Sequence, residues 1–307
     1  MTIFVSGSMA YDRIMTFTGS FSDQIIDNEI NDINLSFAVD GIIQRTGGTA
    51  GNIAYALSLF GKKPVILATL GDDHQSYLER LNTIGLPISA IRLIPGFPTA
   101  SAYIATDLKQ NQITMFNPGA MQFPCKFEFD KPELDNSIAI ISPGNITDMI
   151  RLAKRCKENS IPYIFDPGQS LSGWQALDLS NCIDGALLLI SNKYEMELIK
   201  KITGLTYPGI LDLTNTIITT LGHEGSTIIT ATSEIFVPIC PPKQIIDPTG
   251  AGDAYRGGLI KGIIDGLPLD QSARIGAACA SFAVEYPGTQ EYSFSESQFE
   301  KRLSLID

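Results

Sequence analysis

The sequence predicts an α/β sandwich built on a mostly parallel sheet. Apolar, strand-like segments alternate with amphipathic, helix-like segments along most of the chain, which is typical of this class. Residues 272–285 are apolar nearly all round, as expected of a helix buried against a sheet. With 307 residues, 44% of them hydrophobic, the chain can bury a sizeable core. We expect a single domain over residues 1–307.

The predicted elements follow one another in βα order. Periodicity and turn residues place the N-terminal ones as a strand at 3–9, a helix from 53 that Gly61 ends, a strand at 64–71 and a helix at 72–85. The later ones are strands at 139–142, 162–166, 185–191 and 216–222, helices at 149–157, 194–202, 251–265 and 272–285, and a hairpin at about 226–238.

The alternation is interrupted by two stretches, roughly 13–45 and 97–124, which predict a small β insertion. Residues 99–117 contain two β-like runs around a polar turn at 109–112, which predicts a hairpin. Paired strands outside the main sheet commonly close over an active site, so we expect a β-sheet lid. The alternative is a hairpin without functional role. An exposed lid sheet can also serve as a dimer interface, so a monomer and a homodimer both remain open.

Composition excludes several classes of function. A formal charge of −11 argues against nucleic acid or an anionic membrane as the main partner. No window approaches 18 uninterrupted apolar residues, and the N-terminus lacks the pattern of a signal peptide. The five cysteines are widely separated and the two histidines lie far apart, so we expect reduced thiols, a cytoplasmic protein and no zinc site.

The strongest motif is D-P-T-G-A-G-D-A-Y-R-G-G, residues 247–258. It lies between an apolar, strand-like pair (Ile245 and Ile246) and a helix-like segment. Gly250 and Gly252 let backbone N–H groups approach a ligand at a helix N-terminus, which favours an anion. A carboxylate beside that turn, Asp253, suits proton removal from a hydroxyl during phosphoryl transfer. The alternative is a tight turn in which Asp253 only caps the helix.

Two further motifs lie near predicted strand ends, where ligands bind in doubly wound sheets. Asp12 follows the first strand and could hold two sugar hydroxyls, or could be a simple turn residue. Gly47 and Gly48 precede a helix and admit a ligand against the backbone, while Asn52 can hydrogen-bond it. Helix capping by Asn52 or Thr49 is the competing explanation.

Two more motifs suit the donor side of a phosphoryl transfer. Asn192 and Glu195, three apart at a helix start, could order hydrated Mg²⁺, or could form a variant of the capping box. Thr220, Gly222 and Gly225 could line a nucleotide, or could make a turn. The Walker sequence G-x-x-x-x-G-K-[ST] and an early G-x-G-x-x-G are absent, which argues against P-loop and dinucleotide-binding proteins.

Taken together, these motifs resemble those of the ribokinase-like PfkB carbohydrate and nucleoside kinases over nearly the whole chain. The family's two signatures are similar to G-G-T-A-G-N (47–52) and D-P-T-G-A-G-D-A-Y-R-G-G (247–258). Its N-x-x-E motif is similar to N-K-Y-E (192–195). The resemblance implies a ribokinase-like three-layer α/β/α sandwich with a β-sheet lid, ATP as phosphoryl donor and Mg²⁺.

The resemblance also implies roles for individual residues. Asp253 would be the general base, and the turn of Gly250, Ala251 and Gly252 the anion hole. Donor-side contacts would come from Asn192 and Glu195 through Mg²⁺, and from Thr220, Gly222 and Gly225. The acceptor's sugar hydroxyls would be held by Asp12, Gly47, Gly48 and Asn52. Asp247 and Thr249 would belong to a monovalent-cation loop, as in relatives activated by K⁺.

The acceptor is inferred from three further segments. These segments, together with Arg256, look most similar to the bacterial adenosine kinase-like branch. They are F-N-P-G-A-M (116–121), F-D-P-G-Q (165–169) and V-E-Y-P-G-T-Q-E-Y (284–292). This implies a nucleoside acceptor, with Tyr103 and Phe116 as stacking platforms for its base, unless these rings only pack the lid against the core. Arg256 could pair with phosphate or with an internal carboxylate. A sugar or sugar phosphate acceptor and a non-catalytic nucleotide-binding regulator remain the alternatives.

Overall fold

The computed structural model describes residues 1–23, 35–109, 111–129 and 136–306. Its centre is an eight-stranded sheet made of β1 (Thr2–Ser6), β4 (Val65–Leu67), β9 (Ser137–Ile141), β10 (Tyr163–Phe165), β11 (Leu188–Asn192), β12 (Thr216–Thr220), β13 (Ser226–Thr230) and β14 (Glu234–Val237). The strand order is β14-β13-β12-β11-β10-β9-β1-β4. All neighbours from β12 to β4 are parallel, and β12, β13 and β14 pair antiparallel.

Helices cover both faces of this sheet, which confirms the predicted α/β/α sandwich. One face packs against α1 (Thr49–Leu59), α2 (Gln75–Thr83), α7 (Ala251–Ile264), α8 (Leu269–Ala283) and α9 (Glu296–Leu303). The other face packs against α3 (Ile146–Glu158), α4 (Ala176–Ile183), α5 (Lys193–Thr203) and α6 (Tyr207–Leu211). Burial on both faces explains why the central strands are continuous apolar runs and do not alternate.

Helices α7 and α8 pack closely because glycines face each other where they meet. A Cβ on Gly258 would lie 2.8 Å from the Cα of Gly276 and 2.6 Å from the carbonyl oxygen of Ile275. Helix α8 is therefore buried over most of its circumference, as its apolar sequence predicts. Its bounds are 269–283, shifted by two or three residues from the predicted 272–285.

A second sheet of four strands stands apart from the central one, in the order β3-β2-β7-β8. Its strands are β2 (Ala10–Phe17), β3 (Val39–Gly47), β7 (Ala100–Thr106) and β8 (Gln112–Asn117). The last two lie within the predicted stretch 97–124, whereas the first two extend beyond the predicted stretch 13–45 at both ends. β2 pairs with β3 antiparallel and with β7 parallel, and β7 forms a hairpin with β8. Residues 24–34 and 110 of the predicted lid stretches lie outside the described residues.

Two predicted strands differ in the structure. The segment 64–71 is divided between β4 and a short β5 (Thr69–Leu70), which pairs with β6 (Arg92–Leu93) in a separate two-stranded sheet. Ile245 and Ile246 form no strand and are 68% and 51% exposed. Their segment runs over the surface, where the backbone N–H of Ile246 bonds to the carbonyl of Val284 at the end of α8.

The five cysteines are free and buried. Within the described ranges, every helix is too short or too polar to traverse a bilayer.

Candidate active site

The polar motifs meet at one edge of the central sheet. Strands β1, β9, β10, β11 and β12 are parallel there, so their carboxyl ends open onto the same edge. The N-termini of α1, α5 and α7 lie at residues 49, 193 and 251, directly after the motifs that the sequence singles out.

A glycine turn carries the chain from the second sheet into helix α1. Gly48 has φ 87°, and a Cβ there would lie 2.6 Å from the carbonyl oxygen of Ser8, so only glycine fits. Ser8 accepts the first N–H bonds of the helix, from Thr49 through its hydroxyl (3.0 Å) and from Ala50 through its carbonyl (3.0 Å). The first N–H groups of the helix are thus satisfied by a residue of the loop between β1 and β2, and Asn52, one turn inside, is not the cap.

Helix α7 begins with a second glycine turn. Gly250 has φ 77°, and a Cβ there would lie 2.7 Å from Cγ2 of Thr289. Gly252 is exposed, so the first turn of this 14-residue helix is open to solvent on one side. No side chain caps the helix, which leaves its partial positive charge directed outward.

Asp253 is the third residue of α7 and does not cap it. Its Oδ2 accepts a 2.8 Å hydrogen bond from Nδ2 of Asn52 in helix α1, a residue that is only 5% exposed. Burial raises the pKa of Asp253 to about 6, and the charges of Asp166 and Glu195 add to this. Arg256 and the Asn52 hydrogen bond act in the opposite direction. A carboxylate with this pKa is ionised at neutral pH and is still basic enough to accept a proton.

Arg256, one turn further along α7, forms a buried ion pair. Its Nε and Nη2 donate to the two carboxylate oxygens of Asp166, at 2.5 and 2.8 Å, and its Nη1 donates to the carbonyl of Gly252 at 3.0 Å. Of the two partners left open by the sequence, the internal carboxylate is the one found. Asp166 lies at the end of β10, and the sequence identified it only as part of F-D-P-G-Q.

Asp12 lies at the start of the second sheet, opposite Arg45 in the strand register. A Cβ on Gly47 would lie 2.5 Å from Oδ2 of Asp12, so the carboxylate rests against the glycine turn. Burial raises the pKa of Asp12 to about 6; the charge of Asp247 raises it further and that of Arg45 opposes. The structure therefore brings together the Asp12, Gly47 and Asp247 motifs.

The carboxylate of Asp247 organises its own loop. Its Oδ1 accepts from the backbone N–H of Thr249 at 2.9 Å and its Oδ2 from that of Gly288 at 2.9 Å. Burial opposes ionisation, but these hydrogen bonds, helped by the charge of Arg45, hold the pKa of Asp247 below its ordinary value.

Asn192 and Glu195 form the capping box that the sequence left as an alternative. Oδ1 of Asn192 accepts from the backbone N–H of Glu195, and Oε2 of Glu195 accepts from that of Asn192, both at 2.8 Å. Burial raises the pKa of Glu195, and the charge of Asp166 adds to this. The box uses one of the two carboxylate oxygens. Within the described ranges no three acidic, histidine or cysteine side chains cluster as a metal cage.

The remaining donor-side residues lie around the end of β12. Thr220 is opposite Asn192 in the register of β11 and β12. Gly222 has φ 62° with open space around its Cα, whereas a Cβ on Gly225 would lie 2.4 Å from the carbonyl oxygen of Val237. Gly225 is thus required by the packing of the β12–β13 turn on β14, and Gly222 is the accessible glycine of the pair.

The two predicted stacking rings point to opposite faces of the second sheet. Register aligns Asp12 with Ala102 and Ala102 with Phe116, so Phe116 shares the face of Asp12. Tyr103 is the neighbour of Ala102 and faces the other way, where its hydroxyl accepts from Nη1 of Arg13 at 2.6 Å. Phe116 is 50% exposed and free to meet a ligand. The structure does not bring Tyr103 to that face.

Sequence reasoning missed Gln290, which hydrogen-bonds to the amide oxygen of Asn52 while the amide nitrogen donates to Asp253. Nε2 of Gln290 donates to Oδ1 of Asn52 at 2.9 Å and to the hydroxyl of Tyr77 at 3.1 Å. The only sequence signal is that Gln290 belongs to V-E-Y-P-G-T-Q-E-Y, and nothing in that run indicates contact with residue 52.

Comparison with known proteins gives consistent matches. A model of the pfkB family of carbohydrate kinases matches residues 9–296. A nucleoside kinase of Methanocaldococcus jannaschii is 32% identical over 259 residues, which are 84% of this chain and 85% of that protein. The structure of Burkholderia thailandensis nucleoside kinase in complex with inosine superimposes with a TM-score of 0.85 at 34% identity, over 99% and 98% of the two chains. The crystal structure of the M. jannaschii nucleoside kinase gives 0.87 at 28%, over 99% and 98%.

Proposed function

The chain belongs to the pfkB family of carbohydrate kinases, phosphotransferases with an alcohol group as acceptor, and on that premise we propose that it transfers the γ-phosphoryl group of ATP to the 5′-hydroxyl of a nucleoside. Adenosine is the first candidate acceptor. The nucleoside kinases similar to this chain over nearly its whole length support a nucleoside over a free sugar.

The observation that carries the proposal is the position of Asp253 beside the open N-terminus of α7. The 5′-oxygen forms the new O–P bond, its proton passes to Asp253, and the bond between the γ-phosphorus and the β–γ bridging oxygen breaks, releasing ADP. Charge that develops on the transferring group meets the N–H groups of Gly250, Ala251 and Gly252. A pKa near 6 leaves Asp253 ionised before the transfer.

We assign the acceptor's ribose to Asp12 and the Gly47–Gly48 turn. The carboxylate of Asp12 can accept hydrogen bonds from two neighbouring hydroxyls, and the glycines allow the sugar to approach the backbone. The base is proposed to stack on Phe116, which shares the face of Asp12. Closure of the second sheet as a lid would exclude water from the transfer.

We assign the donor to Asn192, Glu195, Thr220 and Gly222. One carboxylate and a neighbouring amide fit a hydrated Mg²⁺ that ATP carries with it, since Mg²⁺ keeps several waters and binds mainly through phosphates. When bound, Mg²⁺ would neutralise phosphate charge. The loop of Asp247 and Thr249 is proposed to respond to K⁺; equal turnover in K⁺ and in Na⁺ would exclude that role.

The test is a coupled ADP-release assay over adenosine, inosine, cytidine, ribose and fructose phosphates. We expect the highest kcat/KM with a nucleoside. The Asp253→Asn variant should bind ATP normally and lose about 10²–10⁴-fold in kcat. A higher kcat/KM with ribose or a sugar phosphate would replace the nucleoside by the sugar acceptor. The absence of ATP consumption with every acceptor in the series would favour a non-catalytic nucleotide-binding regulator.

A further inference from the structure

We propose that Gln290 is a positioning residue for the phosphoryl transfer, because it fixes the amide of Asn52 with its nitrogen, and not its oxygen, towards Asp253. The inference rests on the proposed role of Asp253 as the base. It concerns a residue whose side chain contacts Asn52 and not the acceptor.

The orientation of the Asn52 amide matters because its two ends have opposite polarity. Nδ2 donates to Oδ2 of Asp253 at 2.8 Å, and Oδ1 accepts from Nε2 of Gln290 at 2.9 Å. If the amide were reversed, its oxygen would face the carboxylate and repel its charge. Holding Oδ2 in this bond leaves Oδ1 of Asp253 for the acceptor hydroxyl.

Gln290 is itself fixed by a chain of bonds that ends on the backbone. Tyr77 donates its hydroxyl proton to the carbonyl of Gly47 at 2.7 Å, and a carbonyl can only accept. The hydroxyl of Tyr77 is therefore an acceptor for Gln290, whose NH₂ group donates to it at 3.1 Å. The carbonyl end of Gln290 accepts from the hydroxyl of Thr46 at 3.1 Å. Because the carbonyl of Gly47 can only accept, it determines which end of each side-chain amide donates, first in Gln290 and then in Asn52.

This chain of hydrogen bonds lies in the interior of the protein. Gln290 is 1% exposed and Tyr77 is fully buried. Nη2 of Arg80 donates to the backbone carbonyl of Gln290 at 2.6 Å, which holds its main chain as well. A Cβ on Gly51 would lie 2.0 Å from the hydroxyl of Tyr77 and 3.1 Å from Nε2 of Gln290, so α1 approaches the chain without a side chain between them.

Among the described residues, the side chain that donates a hydrogen bond to the Asp253 carboxylate is that of Asn52. The charged and titratable groups that act on it are Arg256 on its own helix, Asp166 at the end of β10, Glu195 in α5 and Tyr292 in the C-terminal segment. The guanidinium of Arg256 is engaged with Asp166 and Gly252. Loss of the oriented Asn52 amide is therefore expected to raise the pKa of Asp253.

Two substitutions test this without altering Asn52 or Asp253. Gln290→Met keeps the side chain's length and removes its donor, and Tyr77→Phe removes the anchor while keeping the ring. Tyr55→Phe is the matched control, because its buried hydroxyl donates to the carbonyl of Tyr292 outside this chain. Wild-type and variant proteins are compared by the pH profile of kcat with a saturating nucleoside, and by carbon NMR titration of the Asp253 carboxyl, assigned with Asp253→Asn.

We expect the acid limb of the profile and the NMR pKa of Asp253 to move up by about one unit in Gln290→Met and Tyr77→Phe. The smaller ionised fraction should lower kcat about twofold at about pH 7 and about tenfold at about pH 5, below both pKa values, with the KM for ATP changed less than about twofold. Tyr55→Phe should match wild type. Unchanged pKa values in both variants, or an equal shift in Tyr55→Phe, would overturn the proposal. The NMR titration needs no turnover, so inactive wild-type protein would refute the proposed function and still leave the positioning test readable.

Discussion

The partly buried carboxylate of Asp253 should make the protein less stable than it would be without that charge. The pKa of Asp253 lies about two units above the ordinary 3.8 because of burial. At ~1.4 kcal/mol per unit, ionisation of this group opposes folding by up to about 3 kcal/mol. Since the side chain is partly exposed, screening reduces the expected effect to about 1–3 kcal/mol.

Proton linkage gives the direction in which the stability changes with pH. A carboxylate whose pKa is raised in the folded state holds its proton more tightly there, so stability falls as pH rises from about 4 to about 6. Asp253→Asn cannot ionise and escapes this loss. We therefore expect the variant to gain about 1–3 kcal/mol over wild type at about pH 8, and to gain little at about pH 4. The same variant should have lost most of its turnover.

Urea unfolding of both proteins at the two pH values measures the difference, provided that the slopes agree. The control is Asp212→Asn, which removes one exposed carboxylate just after α6; its effect should stay within about 0.5 kcal/mol at both pH values. If the advantage of Asp253→Asn is the same at both pH values, or absent at about pH 8, the carboxylate is not strained by burial and the argument fails.

Three further predictions concern other residues of the proposed active site. Gly250→Ala should lower the free energy of unfolding by about 1–3 kcal/mol and lower kcat, because φ is 77° and the new Cβ would lie 2.7 Å from a neighbouring side chain. Gly61→Ala, at φ 69° in open space, should lose only the part of this energy that comes from the strained backbone. Equal losses in urea unfolding would contradict the steric reasoning. Asp166→Asn leaves a buried arginine without its partner and should cost about 3–5 kcal/mol of unfolding free energy; a loss under about 1 kcal/mol would mean that the ion pair is not closed in solution. Phe116→Ala should raise the KM for a nucleoside about tenfold and leave that for ribose unchanged, while Tyr103→Phe, on the opposite face, should alter neither; equal effects would remove the stacking site.

Much of the fold could be predicted because it depends on local patterns. The alternation of apolar strands and helices gave the sandwich, and the all-apolar segment gave the buried helix α8. Where the prediction was wrong, at Ile245 and Ile246, an apolar pair was assigned to a buried strand, whereas both side chains lie exposed on the surface. Their backbone is bonded instead to the end of α8.

The site was predictable in its motifs and not in its connections. Glycine at positions 48 and 250 follows from chain geometry, since φ is positive at both. Asn192 and Glu195 are three residues apart, and that spacing already contained the capping box that the structure has. For such neighbours the sequence distance and the spatial distance are tied by the helix itself.

The sequence by itself determined which residues could do chemistry: an anion-binding turn, a carboxylate in its first turn and glycines that admit a ligand. Only the tertiary structure decided which of them meet. Asn52 contacts Asp253 across 201 residues and Gln290 across 238, and Arg256 finds Asp166 across 90. It also decided that Tyr103 turns away from Asp12 while Phe116 does not. Such contacts depend on how helices and sheets pack and on strand register, and a one-residue change of register reverses the face of every side chain.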